Sequence, residues 1–406
     1  SKVDGVIFDK KYLNVFNNIK NNNTSNLTTY ICMDYSEDKD NILSYSKLIN
    51  NGAKLLANGD KKYDNITIDN TAMSIMIFTS GTTSISKAVM LSQKNICSDI
   101  YSLSCMAKVT SNDTFLSFLP LHHTFESTCT FLYGTSAGIT VVFTDGLKYI
   151  VKNLKEYEIT GFVCVPLVLE TIYKKLNKEI EKQRKTKLIK FARKFSNFLL
   201  KFNIDIRKKI FKPILDQLGG KLNILIAGGA PMDKEAISAF VDFGINLLQG
   251  YGLTETSPVA AGENDKYKRA GSVGFPLPNI DIEIDNPDED GVGEIIIKAP
   301  TVMLGYYENS EATDSVLKDE WFHTGDLGKF DEDGFLFVTG RKKFVIVLKN
   351  GKKVFPEEVE ILINKLPFVQ ESMVYGLPDR DNDVKLCAKI VYNPDTMKEL
   401  YPDSKE

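Results

Sequence analysis

Histidine is scarce in this chain: His122, His123 and His323 are the only three in 406 residues, and none is spaced from a cysteine as zinc ligands are, so no zinc centre is expected. The six cysteines (Cys32, Cys97, Cys105, Cys129, Cys164 and Cys387) contain no Cys-x-x-Cys pair and stand mostly among apolar residues. A chain of this size needs no covalent staples, and these read as free thiols of a reducing cytosol. No apolar run approaches the ~20 residues that cross a bilayer, and no signal-peptide pattern is visible, so a cytoplasmic protein is expected. Neither sign of charge dominates: 50 Lys and Arg against 53 Asp and Glu leave −3, which gives no whole-chain attraction to nucleic acid. No repeat period is present, which removes solenoids and propellers.

What is present is an ordinary globular composition, 43% hydrophobic and 25% charged, over a length that suits two or three domains. Short apolar runs at Thr71–Phe78, Ile139–Phe143, Phe162–Val165, Leu222–Ala227 and Ile245–Leu248 read as buried strands. Helical patterns lie between them, at about Lys94–Ala107, Phe125–Ala137, Leu167–Lys182 and Lys234–Phe243. Strands alternating with helices imply an α/β body of mostly parallel sheets flanked by helices. From about 271 to 340 the texture turns β-rich, with strands at Asp281–Ile284, Gly293–Lys298 and Gly334–Val338, and suggests a small barrel-like subdomain. Residues 341–406 then read as an incomplete small α+β domain, with strands at Phe344–Leu348, Ser372–Tyr375 and Leu386–Tyr392 and a helix at Pro356–Leu366. The expected organisation is therefore 1–340 and 341–406.

One segment stands apart. Residues 174–212 hold fifteen basic side chains against three acidic ones, a net of +12 that leaves −15 on the rest of the chain. Leu188, Ile189, Phe191, Phe195, Phe198 and Leu199 are interleaved at helical spacing. Two readings fit: a solvated helical hairpin packing one face on the body, or a surface drawn to anionic membrane lipid.

The chemistry concentrates in four clusters. Thr79, Ser80, Gly81, Thr82, Thr83, Ser84 and Lys87 form a hydroxyl-rich loop after a strand, suited to polyphosphate, with N–H and O–H donors and one ammonium. It is not a Walker A loop: counted from Gly81, Ser86 falls on the second glycine and Ala88 falls where a hydroxyl must reach Mg²⁺. In Gln249-Gly250-Tyr251-Gly252-Leu253-Thr254-Glu255, a tyrosine between glycines can lie against a flat heterocycle, and Glu255 offers a hard oxygen for Mg²⁺. Just upstream, Ala227-Gly228-Gly229-Ala230-Pro231 supplies a close backbone wall. Trp321-Phe322-His323-Thr324-Gly325-Asp326 carries an aspartate able to accept from vicinal hydroxyls, and Gly340-Arg341-Lys342-Lys343 sits at the domain junction.

In this order TSGTT with its lysine, LPLHHTFE, GGAP, YGLTET, FHTGD and GRKK resemble the core motifs of the adenylate-forming superfamily of acyl-CoA synthetases, adenylation domains and luciferases, and look most like the bacterial long-chain fatty acyl-CoA synthetases. The resemblance runs from about 74 to 358. It implies ATP, Mg²⁺ and CoA as cofactors and a two-step reaction: a fatty carboxylate attacks the α-phosphorus of ATP to give acyl-AMP, and a CoA thiolate then takes the acyl group. By motif position, Thr79, Ser80, Gly81, Thr82, Thr83 and Lys87 would embrace the β- and γ-phosphates. Tyr251 would stack on adenine beside Gly228, Gly229, Ala230 and Gly252. Thr254 would hold the α-phosphate, Glu255 the metal, and Asp326 with Arg341 the ribose. His123 would face the substrate carboxylate and Lys343 would mark the hinge; His122 fills a variable position and His323 a structural one. The carboxylate is ionised at neutral pH and needs no general base, only positioning and charge neutralisation.

Two departures from the family pattern stand out. The loop reads Ser84-Ile85-Ser86-Lys87-Ala88 where the family carries Gly-x-Pro-Lys-Gly, and no counterpart of the family's adenylation lysine follows Arg341. The expectation is a fragment lacking both ends, which binds ATP and adenylates poorly. Transfer to a carrier protein, and an impaired nucleotide- or lipid-binding relative, stay open as alternatives.

Overall fold

The computed structural model describes residues 3–22, 25–79, 86–230, 232–348, 353–378 and 384–401. The chain forms two compact units, Ser1–Asp69 and Asn70–Glu406. In the first, parallel strands Gly5–Phe8, Thr29–Cys32 and Leu43–Ser44 lie in that order. Its small core gathers Phe8, Tyr30, Cys32 and Ile42. The helix Tyr45–Ala57 starts where the Ser44 side chain accepts from the Lys47 N–H, satisfying one of the free donors of its first turn.

The second unit is organised by a seven-stranded sheet. Five strands run parallel, in the order Asn246–Gly252, Ile224–Ala227, Gly161–Cys164, Thr114–Ser117, Thr140–Phe143. Val259–Gly262 and Phe275–Pro276 extend one edge antiparallel. Gly161–Cys164 and Ile224–Ala227 are buried along their whole length, because helices and loops cover both faces and leave no position for a polar outward residue. Phe162, Leu225, Phe211, Phe240 and Phe243 fill one face; Phe115, Val163, Ile226 and Leu248 fill the other. The backbone approaches closely where glycines stand: a Cβ on Gly161 would come within 2.4 Å of the Ile224 side chain and 2.6 Å of the Phe115 ring.

The run expected as a buried parallel strand at Thr71–Phe78 is different in kind. Met73–Thr79 pairs antiparallel with Lys87–Ser92, in a three-stranded sheet completed by Gly305–Tyr306, and Met73 and Phe78 are exposed. The reason is chain length: only residues 80–86 separate the two strands, and a parallel return needs a dozen or more. The hydroxyl-rich loop therefore joins a hairpin and opens no helix; the helix Gln93–Ser104 follows the second strand, behind a capping box of Ser92 and Asn95. The helix expected over 125–137 is also interrupted: Thr124–Glu126 and Tyr133–Ala137 flank a π-helical turn at Ser127–Leu132.

The β-rich stretch is realised as a five-stranded antiparallel sheet built on the ten-residue strand Trp321–Phe330. Asp281–Asp285 pairs with Gly293–Lys298, which pairs with Trp321–Phe330; that strand also pairs with Leu317–Lys318 and Leu336–Arg341. Beyond Arg341 lie a short pair, Ile346–Val347 with Lys353–Val354, a helix at Pro356–Ile363 and a hairpin of Val369–Pro378 with Val384–Tyr392.

Candidate functional site

Four neighbouring parallel strands end on the same side of the sheet, and their carboxyl ends deliver the walls of one cavity of about 770 Å³. Leu119 and Pro120 follow Thr114–Ser117, Val165 follows Gly161–Cys164, Gly228 and Gly229 follow Ile224–Ala227, and Asn246–Gly252 runs directly into Leu253, Thr254 and Glu255. This is where an open parallel sheet places ligands, since the loops diverge there and leave backbone groups exposed. Thr79 and Lys87 enter from the hairpin, and Arg341 and Lys343 from the end of the five-stranded sheet.

Of the residues singled out in the sequence, Thr79, Lys87, His123, Gly228, Gly229, Tyr251, Gly252, Thr254, Glu255, Arg341 and Lys343 line this cavity together. Ala230 and Asp326 are not among its lining residues. Ser80, Gly81, Thr82 and Thr83 lie outside the described residues, as does Pro231; Thr79 and Lys87, which flank the loop, face each other as the last rung of the hairpin.

Glu255 sits in a single 3₁₀ turn, Thr254–Thr256, and its Oε1 accepts from the Tyr306 hydroxyl at 2.8 Å. Burial, reinforced by the Glu255 charge, pushes the Tyr306 phenol up, so it stays a donor. The same ring lies under the Lys87 ammonium, 4.6 Å from Nζ to centroid. Tyr306 thus ties the lysine of one motif to the carboxylate of another. The hard carboxylate oxygen of Glu255 fits Mg²⁺, and the Lys87 ammonium on the same tyrosine fits the charge of a polyphosphate.

Asp326 is buried and both its oxygens are engaged: Oδ2 accepts from the Tyr251 hydroxyl at 2.8 Å and Oδ1 faces Arg341 Nε at 2.8 Å. Burial pushes its carboxyl up from the ordinary range, against the pull of Arg341 and Tyr251. Burial likewise drives the Tyr251 phenol well above its usual value, with the Asp326 charge adding to the effect. Asp326 therefore acts first on the protein, fixing the Tyr251 ring as a cavity wall and orienting Arg341.

The glycines divide by role. A Cβ on Gly252 would meet the Pro258 carbonyl oxygen at 1.8 Å, so this glycine is demanded by chain packing. On Gly228 a Cβ would stand 3.1 Å from the Phe125 ring and 3.2 Å from the Gly250 oxygen, narrowing the cavity wall itself.

Sequence reasoning missed Tyr306 and Glu294. Glu294 Oε2 pairs with Lys342 Nζ at 2.9 Å and lies 3.6 Å from His323 Nδ1, while Oε1 accepts from the Gly325 N–H at 3.0 Å. Burial alone would raise its carboxyl, but Lys342 and the Gly325 N–H hold it low. His323, with Asp285 and Glu294, comes within metal-ligand distance, yet the Lys342 ammonium already neutralises the central carboxylate. Neither residue carries a local signal; Gly305–Tyr306 looks like any short strand until it pairs with Val89 and Met90.

Comparison with known proteins agrees with this architecture. The family model for the AMP-binding enzyme matches residues 6–307. Fatty acyl-CoA synthetase B of Dictyostelium discoideum is 30% identical over 402 residues, covering 91% of this chain and 57% of that protein. Long chain acyl-CoA synthetase 4 of Arabidopsis thaliana is 31% identical over 343 residues, with 78% and 51% covered. The chloroplastic long-chain-fatty-acid–[acyl-carrier-protein] ligase AEE15 of the same plant is 29% identical, with 89% and 58% covered. The chain thus spans a little over half the length of these relatives. Among solved structures, ATP-bound MatB from Rhodopseudomonas palustris shares the fold at a TM-score of 0.71 and 24% identity, covering 97% of this chain and 69% of that one. The anthranilate CoA ligase AuaEII in complex with anthranoyl-AMP does so at 0.73 and 18%, with 97% and 68% covered. The match over 6–307, with the strand-end cavity that holds its motifs, makes this chain a member of the AMP-binding enzyme family.

Proposed function

We propose that this chain carries the ATP-handling site of an enzyme that activates a long-chain fatty acid through an acyl-AMP intermediate and passes the acyl group to CoA. The observation that carries the reading is the single cavity in which Lys87, Tyr251, Thr254, Glu255 and Arg341 meet from distant parts of the chain. In the first step a carboxylate oxygen forms a bond to the α-phosphorus of ATP as the α–β bridging bond breaks and pyrophosphate leaves. In the second a CoA thiolate attacks the acyl carbon and AMP departs.

Lys87 and the hydroxyl loop beginning at Thr79 neutralise the leaving phosphates; Thr254 holds the α-phosphate; Tyr251 and the Gly228–Gly229 backbone receive the adenine; Arg341, aligned by Asp326, reaches the ribose. His123, exposed at the head of the Thr124–Glu126 turn, faces the entering carboxylate. Glu255, held by Tyr306, is the residue to bind Mg²⁺, whose chemistry when bound is to draw charge from the phosphate oxygens. None of these roles needs a general base, in keeping with a site made of donors and cations. The division at 340/341, with Lys343 as the pivot of the smaller part, completes the proposal.

The test is fatty-acid-dependent exchange between ATP and pyrophosphate across acids of increasing length. Exchange rising with chain length is expected, and Glu255→Ala should lower it about a hundredfold or more. An absence of exchange with every acid in a full-length version would favour a nucleotide-binding relative without turnover, and undiminished turnover in Glu255→Ala would remove the metal assignment. The likeness to the carrier-protein ligase AEE15 supports a second acceptor, distinguished by offering CoA and a phosphopantetheinylated carrier to the same adenylate.

A further inference from the structure

Two long helices of different character carry most of the basic segment, ahead of the short helices Arg207–Ile210 and Lys212–Gln217. Pro166–Lys182 buries Leu169, Ile172, Tyr173 and Leu176. Thr186–Leu200 has a single fully buried side chain, Ser196, and its inward face is already spoken for. Ile189 and Ala192 pack on the main core, Arg193 Nε pairs with Asp242 at 2.6 Å, and Asn197 donates to the same carboxylate at 2.8 Å. At 100° per residue these positions share one side of the helix.

The other side carries Leu188, Phe191, Phe195, Phe198 and, just past the helix end, Phe202, spaced three and four apart and between 44% and 67% exposed. Their rings contact one another: Phe191 and Phe195 stack at 6.2 Å, and Phe198 and Phe202 meet edge to face at 5.2 Å. Beside this stripe stand Lys187, Lys190, Lys194 and Lys201, all exposed and in no ion pair among the described residues. A helix that turns its aromatic stripe outward while its polar Arg193 and Asn197 face the protein is amphipathic in the sense opposite to a core helix.

We propose that the outward face of Thr186–Leu200 docks on the surface of an anionic lipid bilayer, with the phenylalanine stripe at the headgroup–acyl boundary and the flanking lysines against lipid phosphates. Charge complementarity selects this occupant. Thr186–Leu200 contains no acidic residue, and Lys187, Lys190, Lys194 and, just past its end, Lys201 border the stripe, so an anionic surface is attracted at this face. A second copy of the chain would bring the same lysines face to face. A double-helical polyanion, its bases stacked inside, satisfies the lysines but leaves the aromatic stripe in water. The helix is too short and too charged to span; among the described residues no helix is long and apolar enough to cross a membrane, so this element lies in the interface.

Vesicle co-sedimentation of the whole chain tests this, comparing phosphatidylcholine alone with phosphatidylcholine containing about 30% phosphatidylglycerol. Binding is expected only to the anionic vesicles and should weaken steeply as salt rises toward about 0.5 M. Phe191→Ser with Phe195→Ser and Phe198→Ser should lower the partition coefficient at least about tenfold, because the apolar insertion is lost, and Lys187→Glu with Lys190→Glu and Lys194→Glu should abolish it. All six positions are exposed, so unchanged thermal unfolding accompanies the expected result. As an independent reading, Phe195→Trp should be quenched by brominated acyl chains beyond the single native Trp321. No binding to anionic vesicles at low salt would overturn the proposal. So would binding untouched by the serine substitutions, which marks a purely electrostatic polyanion site, or a dimer that dissociates on those substitutions while vesicles are ignored.

Discussion

Glu126 offers the sharpest physical test of the structure. It lies in the Thr124–Glu126 turn directly after His123, fully buried, with neither carboxyl oxygen hydrogen-bonded. Ser117, Thr130 and the Phe118 N–H lie near and partly oppose the effect of burial, which nonetheless pushes the carboxyl up to about 7. At low pH the acid is protonated in folded and unfolded chains alike. As pH rises past 4.5 the unfolded chain releases its proton first, so stability falls until about pH 7 and the loss persists above it. The interval between the two values corresponds to about 3 kcal/mol. Glu126→Gln removes the titration and adds only a pH-independent offset from its amide. Urea unfolding at several pH values should therefore show the variant gaining on the wild type by about 2–3 kcal/mol between about pH 5 and pH 8, and every other titrating group cancels in the difference. A gap that stays flat with pH, or that narrows as pH rises, would refute the burial of a titrating carboxyl at this position.

Other outcomes follow from the same geometry. Tyr306→Phe keeps the ring under Lys87 but removes the donor to Glu255; adenylate formation at limiting Mg²⁺ should fall about tenfold and recover in part at high Mg²⁺, whereas an unchanged Mg²⁺ dependence would separate Tyr306 from the metal carboxylate. Gly252→Ala forces a Cβ against the Pro258 carbonyl oxygen and should cost about 1–3 kcal/mol in denaturant unfolding, with ATP affinity falling as the loop shifts; wild-type stability would contradict the close approach.

Much of the fold was legible because it rests on local patterns. Ile224–Ala227 and Gly161–Cys164 are uninterrupted apolar runs, and only a strand buried on both faces requires that. The Asp281–Asp285 and Gly293–Lys298 hairpin announced itself through the turn residues between its strands. Met73–Thr79 departs from the mostly parallel pattern that alternating strands and helices imply, because the few residues before Lys87 leave no length for a crossover. The π-helical turn at Ser127–Leu132 follows no periodicity that separates it from an ordinary helix.

Composition and motif order were enough to place hydroxyls, glycines, acids and cations at strand ends in a series that resembles one superfamily. How those side chains are engaged came from the packing of distant elements. Asp326 turned out to be committed to Tyr251 and Arg341, Tyr306 to link Lys87 with Glu255, and the phenylalanines of Thr186–Leu200 to face away from the core that their hydrophobicity suggests. The physical reason is common to all three. Composition and spacing fix what a residue can bond and which side of its own element it occupies. Its partner is set by the order in which distant strands and helices pack, and that order leaves no mark on the neighbouring residues.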